Sequence, residues 1–271
     1  MRRLLLPLAL GLVALLLGAA LLAPWIAPHD PAATDLARRL LPPSAAHWLG
    51  TDHLGRDLLS RLLWGARASF GAVAAILALV LALGCAVGML AGMLGGVVDA
   101  VLMRLCDAFM TVPTLVLALF MIGALGTGLG NVVVAIALSH WAWYARLVRG
   151  LTLSLRHRDH ILAARVAGLS RLAILRRHVL PALAGQLAVL ASLDLGHWML
   201  HLAGLSFLGL GVAPPAPEWG IMINDARPFF RTAPSLVLLP GAAILLTVLA
   251  FNLLGDALRD RLDPALREHA H

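Results

Sequence analysis

Apolar runs of bilayer length constrain this chain more than any other feature. The stretch from Leu4 to Ile26 carries no charged residue, and further apolar stretches run over Ala68–Leu94, Val101–Leu125, Asn131–Val148, Leu180–Leu210 and Ser235–Leu254. A helix needs roughly 20 apolar residues to cross the hydrocarbon core. Because lipid offers no partner to an open backbone group, such segments must be helical or belong to a closed barrel. Six stretches of helical length predict an all-α polytopic membrane protein with six transmembrane helices. Composition agrees: 61% of residues are hydrophobic and 13% charged, against about 25% charged in soluble domains.

Between these stretches the chain divides as follows. Residues 1–27 form an N-terminal transmembrane helix; its apolar core is too long for a signal peptide and no clear cleavage site follows it. Residues 28–67 are polar and proline-punctuated, and their second half has Leu54, Leu58, Leu59, Leu62 and Leu63 at helical spacing, an amphipathic helix. Residues 68–257 hold five more spans, with polar loops at 149–180 and 211–234, and 258–271 are a charged tail.

The formal net charge is +7, and all of its positive residues are arginine, since the sequence has no lysine. Arginines at membrane edges set topology, which accounts for the basic balance without nucleic acid. The largest excess lies in RHRDHILAARVAGLSRLAILRRHVLP: Arg156, Arg158, Arg165, Arg171, Arg176 and Arg177 against Asp159. With Arg2 and Arg3 at one end and Arg259, Arg261 and Arg267 at the other, both termini and loop 149–180 are expected in the cytoplasm. Segment 28–67 and loop 211–234 then lie outside. The first outer segment, with five Arg against four Asp, is the weak point of this charge contrast.

Several blocks now fall into one order: GTDHLGRDLLSRLLWGAR before span 2, LMRLCDAFMTVPTLVLAL in span 3, LAARVAG and HVLP in the basic loop, LSFLGLGVAPPAPEWGIMINDAR after span 5 and NLLGDALRDRLDP at the tail. Together they resemble the dipeptide/oligopeptide/nickel permease family of binding-protein-dependent ABC importers. The wording of spans 4 and 5, NVVVAIALSHWAWYARLVRG and LDLGHWMLHLAGLSFLGLG, with EWGIMINDAR and REHAH, is similar to the nickel branch of that family. The resemblance implies a permease of the bacterial inner membrane that forms half of a path for nickel, free or chelated. The implied partners are a second homologous permease, two ATP-binding subunits that hold ATP and magnesium, and a periplasmic nickel-binding protein. It implies no cofactor in this chain, and no catalytic residue.

The family's ATPase-coupling loop maps onto Leu162, Ala163, Ala164, Arg165, Gly168, Leu180 and Pro181. Small side chains let a short helix seat in a partner's cleft. Gly168 permits a positive φ, and Pro181 suits a helix's first turn. One departure stands out: Leu162 occupies the position where the family usually has Glu.

The candidate translocation-path residues are His140 in span 4 and Asp194, His197 and His201 in span 5. The last three are spaced i, i+3, i+7 and so share a helical stripe. Ionisable groups at membrane depth face a cavity or a partner, and imidazole suits nickel. Two readings stay open: a path lining that binds and releases, or pairing between helices in which Asp194 satisfies His197. No metal ligand is firmly assigned. In span 3, Arg104 and Asp107 are spaced to pair and Pro113 to kink the helix. The small residues Gly84, Gly88, Gly92, Gly95 and Gly96 predict close helix packing. Cys85 and Cys106 lie in apolar runs and read as packing residues. The outer loops are candidates for receiving a solute-binding protein, and His269 and His271 read as a solvated tail.

An enzyme is excluded by what is missing. His197-x-x-x-His201 has a metalloprotease spacing, but Trp198 stands where the catalytic Glu would be. A phosphate-binding loop needs the lysine this chain lacks. A stand-alone channel or carrier would have no use for the coupling loop. The nearest alternative is a dipeptide or oligopeptide permease of the same architecture.

Overall fold

A computed structural model describes residues 2–262; tail residues 263–271, with Arg267, His269 and His271, lie outside the described residues. Among the described residues there are ten α-helices: α1 (Arg2–Ile26), α2 (Leu58–Leu94), α3 (Gly96–Thr111), α4 (Thr114–Leu125), α5 (Leu129–Leu155), α6 (Asp159–Val166), α7 (Arg171–Ile174), α8 (Leu180–Phe207), α9 (Trp219–Ala226) and α10 (Ser235–Leu262). Among the described residues the only β pairing is an isolated bridge between Thr51 and Asp57.

The central strut is α2. The amphipathic stretch expected before it is its first turns: Asp57 caps the helix by accepting from the Ser60 N–H, and nothing interrupts it before Gly95. At 1.5 Å per residue its length is about 55 Å, longer than a hydrocarbon core, so both ends project. It packs most extensively on α5. Gly84, Gly88 and Gly92 face that helix; a Cβ on Gly88 would stand 2.4 Å from the Ala145 carbonyl oxygen and 2.7 Å from the Val148 Cβ. The expected close approach is therefore real at these three positions, while Gly96 faces open space. Around this pair, α8 packs on α10, α1 on α10 and α2, and α4 on α5.

The expectation of six apolar spans needs correction. Among the described residues, four helical stretches are long and apolar enough to cross a membrane, Leu6–Ile26, Leu58–Leu94, Arg171–Phe207 and Ser235–Arg261, and a fifth counts if α3 and α4 form one broken span. The break is a 92° bend. It sits at Val112-Pro113, where Val112 is extended, as a residue before proline prefers. The helix expected as span 4, α5, is long but too polar for that group, because Ser139, His140, Tyr144, Arg146 and Arg149 interrupt it. Its neighbours bury much of it, including Ala135, Ile136, Tyr144, Ala145 and Val148, and polar groups within it meet protein partners.

Two carboxylates of α3 clamp α5. Arg149 grips Asp99 with two nitrogens, the Nη2–Oδ2 bond at 2.6 Å, and Arg146 donates to Asp107. The i, i+3 pairing of Asp107 with Arg104 is thus replaced by a pairing between helices. The second half of the basic loop is also helical: α7 runs through a π turn, Leu175–Val179, into α8. Wider π turns suit insertion points in helices, and Pro181, which has no N–H, sits in the first turn of α8.

At the end of the bundle where α2 starts, the two polar loops lock together. Glu218, fully buried, caps α9 at the N–H groups of Gly220 and Ile221 and accepts from the Ser69 hydroxyl of α2. Trp219 Nε1 donates to the Leu62 carbonyl at 3.0 Å. Asp52 holds both Arg56 and Arg61, and Arg56 reaches Asp225 at 3.8 Å.

Candidate functional site

Four of the polar groups singled out in the sequence converge between α5 and α8. His140, His197 and His201 each bring a ring nitrogen within 4.8 Å of the others. Ring centroids are 4.3 Å apart for His197 and His201, 5.2 Å for His140 and His201, and 6.1 Å for His140 and His197. The spacing follows from the helices: residues i and i+4 on α8 stack on one face, and α5 delivers the third ring across the interface.

The tautomers follow from the backbone. His140 Nδ1 lies 2.8 Å from the Ile136 carbonyl and His201 Nδ1 3.0 Å from the His197 carbonyl. A carbonyl can only accept, so each Nδ1 carries the proton and each Nε2 presents its lone pair. This is the arrangement in which a histidine serves as a metal ligand with its other nitrogen held by an outer partner.

Asp194 belongs to the same cavity, which has a volume of about 290 Å³ and is also lined by His140, Tyr144, His197 and Ser139. Its partner is not His197. Tyr144 of α5 donates its hydroxyl to Asp194 Oδ2, so the carboxylate is tied across the interface. Tyr144 falls within the expected span 4 and has no role assigned by the sequence alone; its one signal there is that it is the single tyrosine of the chain. Three clustered imidazoles, two of them on the wall of this cavity with a tethered carboxylate, can hold a divalent transition-metal cation or hydrogen-bond a chelate.

The second set of candidate residues gathers at the opposite end of α2. Ile161 is fully buried and anchors α6, which exposes Leu162 at 40% and Val166 at 90% beside Ala163 and Arg165. Gly168 has φ +83°. The Gly168 N–H bonds the Arg165 carbonyl and the Leu169 N–H the Ala164 carbonyl, the paired bonds of a left-handed helix cap. Leu180 and Pro181 are exposed one π turn beyond α7. Arg156 joins the loop to α2 by donating from Nη1 to the Gly92 carbonyl at 3.0 Å. Between them lies a groove of about 340 Å³, with Arg156, Arg165 and Arg171 on its wall. A short helix with an exposed apolar face beside a basic groove is suited to docking a partner with acidic groups.

Comparison with known proteins fits this arrangement. The model of the binding-protein-dependent transport system inner membrane component matches residues 84–268, and that of the N-terminal TM domain of oligopeptide transport permease C matches residues 8–43. The chain is 57% identical to the nickel transport system permease protein NikC of Escherichia coli (strain K12), over 97% of this chain and 96% of that protein. It is 46% identical to the glutathione transport system permease protein GsiD of Shigella flexneri serotype 5b (strain 8401), over 94% of this chain and 84% of that one. A chain of the MetNI methionine ABC transporter in an inward-facing conformation superposes with a TM-score of 0.59 at 16% identity, covering 74% of this chain and 96% of that chain; at that identity the likeness is one of fold. The protein is thus a multi-pass inner-membrane protein, and it belongs to the binding-protein-dependent transport system inner membrane components.

Proposed function

We propose that this chain is the permease subunit that forms half of the path for nickel, free or chelated, in an ATP-driven importer. The observation that carries the reading is the three-histidine cluster between α5 and α8, in a chain 57% identical to a nickel permease. Nickel is the cargo. Imidazole nitrogens suit it, and a cluster without a complete cage suits a path, where binding must be weak enough to release. If nickel arrives chelated, His140, His197, His201 and Asp194 hydrogen-bond the chelate and leave its ligands in place.

In this reading both termini are cytoplasmic, with segment 28–67 and loop 211–234 in the periplasm. The six basic residues Arg156, Arg158, Arg165, Arg171, Arg176 and Arg177 at the α6–α7 end support that orientation. Partners supply everything the chain does not: a second homologous permease, two ATP-binding subunits carrying ATP and magnesium, and a periplasmic nickel-binding protein. Leu162, Ala163, Ala164, Arg165, Gly168, Leu180 and Pro181 take the ATPase contact. Closure of the ATPases moves α6 and, through α7 and the π turn, α8. Since α8 carries His197 and His201, a rigid shift of that helix against α5 opens or closes the triad.

The test is uptake of radioactive nickel in cells lacking this subunit, with dipeptide uptake as control. The reading expects nickel uptake to fall to background and dipeptide uptake to persist. The second reading, a peptide permease, is favoured by the 46% identity to GsiD; loss of dipeptide uptake alone would establish it in place of nickel.

A further inference from the structure

A second cluster of metal-binding character, sharing no residue with the histidine triad, lies at the start of α2. His29, His47 and Asp57 each bring one nitrogen or oxygen within 4.8 Å of the others. Asp57 Oδ1 is 3.0 Å from His47 Nδ1 and 3.7 Å from His29 Nδ1, and the two rings lie 4.7 Å apart. Ligands about 2.1 Å from a metal stand about 3.0 Å apart at right angles and about 3.4 Å apart in a tetrahedron. The observed spacings bracket those values.

The cluster is held in place from behind. Asp57 Oδ2 accepts from the Ser60 N–H at 2.8 Å and the Ser60 hydroxyl at 2.7 Å, which leaves Oδ1 for the two rings. The same Ser60 oxygen accepts the His29 backbone N–H at 3.0 Å, and Ser44 accepts that of His47 at 3.1 Å. One hydroxyl therefore ties together two of the three segments, and Asp57 has the outer hydrogen bonds that a ligating carboxylate characteristically takes.

A further observation points to a ligand. The Asp57 side chain is 1% exposed, yet among the described residues its ion-pair partners are the two imidazoles alone; the neighbouring Arg56 and Arg61 go to Asp52. A buried carboxylate calls for a compensating cation. The His47 ring is also buried, which holds its Nδ1 beside Asp57; its other nitrogen, Nε2, is turned away from the carboxylate and has no hydrogen-bond partner. His29, with 39% of its side chain exposed, leaves one side open.

We infer that His29, His47 and Asp57 form a binding site for a divalent transition-metal cation. Two nitrogens and one carboxylate oxygen suit borderline cations such as nickel, cobalt or zinc, and are poor ligands for calcium. Three protein ligands with an open side make an exchangeable site; a structural metal would be closed by four. On the proposed topology this site faces the periplasm, so a cation can be held there before it enters the path. The site is independent of the identity of the cargo.

Its test reads binding and not uptake. The full complex in nanodiscs is dialysed against cobalt(II) alone and nickel(II) alone, with visible absorbance and bound metal as readouts. Wild type and His197→Ala/His201→Ala are expected to keep one cation that His29→Ala, His47→Gln and Asp57→Asn each weaken at least ~10-fold, the smallest effect typical of disturbing a metal site. Calcium is expected not to compete. Superimposable isotherms for wild type and the three variants, all assembled, would overturn the inference. So would a loss confined to His47→Gln and Asp57→Asn with a lowered melting temperature and normal binding in His29→Ala, since that pattern marks a helix cap and not a metal site.

Discussion

Gly88→Ala puts one methyl group where α2 and α5 are closest. Its Cβ would lie 2.4 Å from the Ala145 oxygen, 2.7 Å from the Val148 Cβ and 3.0 Å from the Arg149 nitrogen. Two of these atoms are backbone, so no rotamer change relieves the contact. Ordinary contact starts at 3.4 Å, so α5 must retreat by roughly 1 Å to restore it. Overpacking of this kind costs about 1–3 kcal/mol, against a gain of about 1 kcal/mol from replacing glycine inside a helix. The control is Gly71→Ala on the same helix, where the added Cβ meets nothing within 4 Å and only the gain applies. The two variants should differ by about 2 kcal/mol, or roughly 5 °C in apparent melting temperature of the purified protein. Because α5 carries His140 and Tyr144, Gly88→Ala should also impair uptake while Gly71→Ala does not. A Gly88→Ala protein that melts at or above Gly71→Ala would refute the packing argument.

Other consequences can be checked separately. Gly168→Ala meets no atom within 4 Å but forces a left-handed alanine at φ +83°; the cost of about 1–2 kcal/mol should fall on α6 alone and appear as weaker stimulation of the ATPase by the binding protein. Leu162→Glu, which restores the acid usual in the family, should leave assembly and coupled ATPase activity at or above the wild-type level. Tyr144→Phe removes the donor to Asp194 and should reduce uptake several-fold with assembly intact, whereas Trp143→Phe should not. Burial holds His53 below its ordinary value of 6.5, with Asp52 partly offsetting it. A group depressed in this way contributes stability above pH 6.5 that is lost as pH falls through and below that value. The stack of His53 on Phe229, centroids 5.2 Å apart, should therefore loosen in mild acid, and His53→Gln should remove that pH dependence of outer-loop protection in hydrogen exchange.

What could be read from the sequence was whatever a single helix or a single turn determines. The apolar runs located α1, α2, α8 and α10. Gly168 announced its cap, and the spacing of Asp194, His197 and His201 put them on one stripe of α8. What could not be read depended on neighbours. The polarity of α5 made it look like an ordinary span with a few exceptions, yet those residues clamp α3 and reach α8. Asp107 had a sequence partner at the right spacing, Arg104, and took Arg146 from another helix. Asp194 did the same with Tyr144. The bend at Pro113 was foreseen as a kink, but its 92° follows from an extended Val112 as well as the proline. Helix α9 was hidden in a loop, although Glu218 two residues before Gly220 is a readable cap signal. His29, His47 and Asp57 come from separate turns of an irregular segment, and no periodicity relates them.

The most direct test of the central claim is ATP-driven nickel accumulation in vesicles reconstituted with this chain, its partner permease, the ATPases and the binding protein. The account predicts accumulation with the wild-type chain. It predicts loss of accumulation with His140→Ala/His197→Ala/His201→Ala while ATP hydrolysis continues. Undiminished nickel accumulation by the triple variant in a normally assembled complex would contradict it.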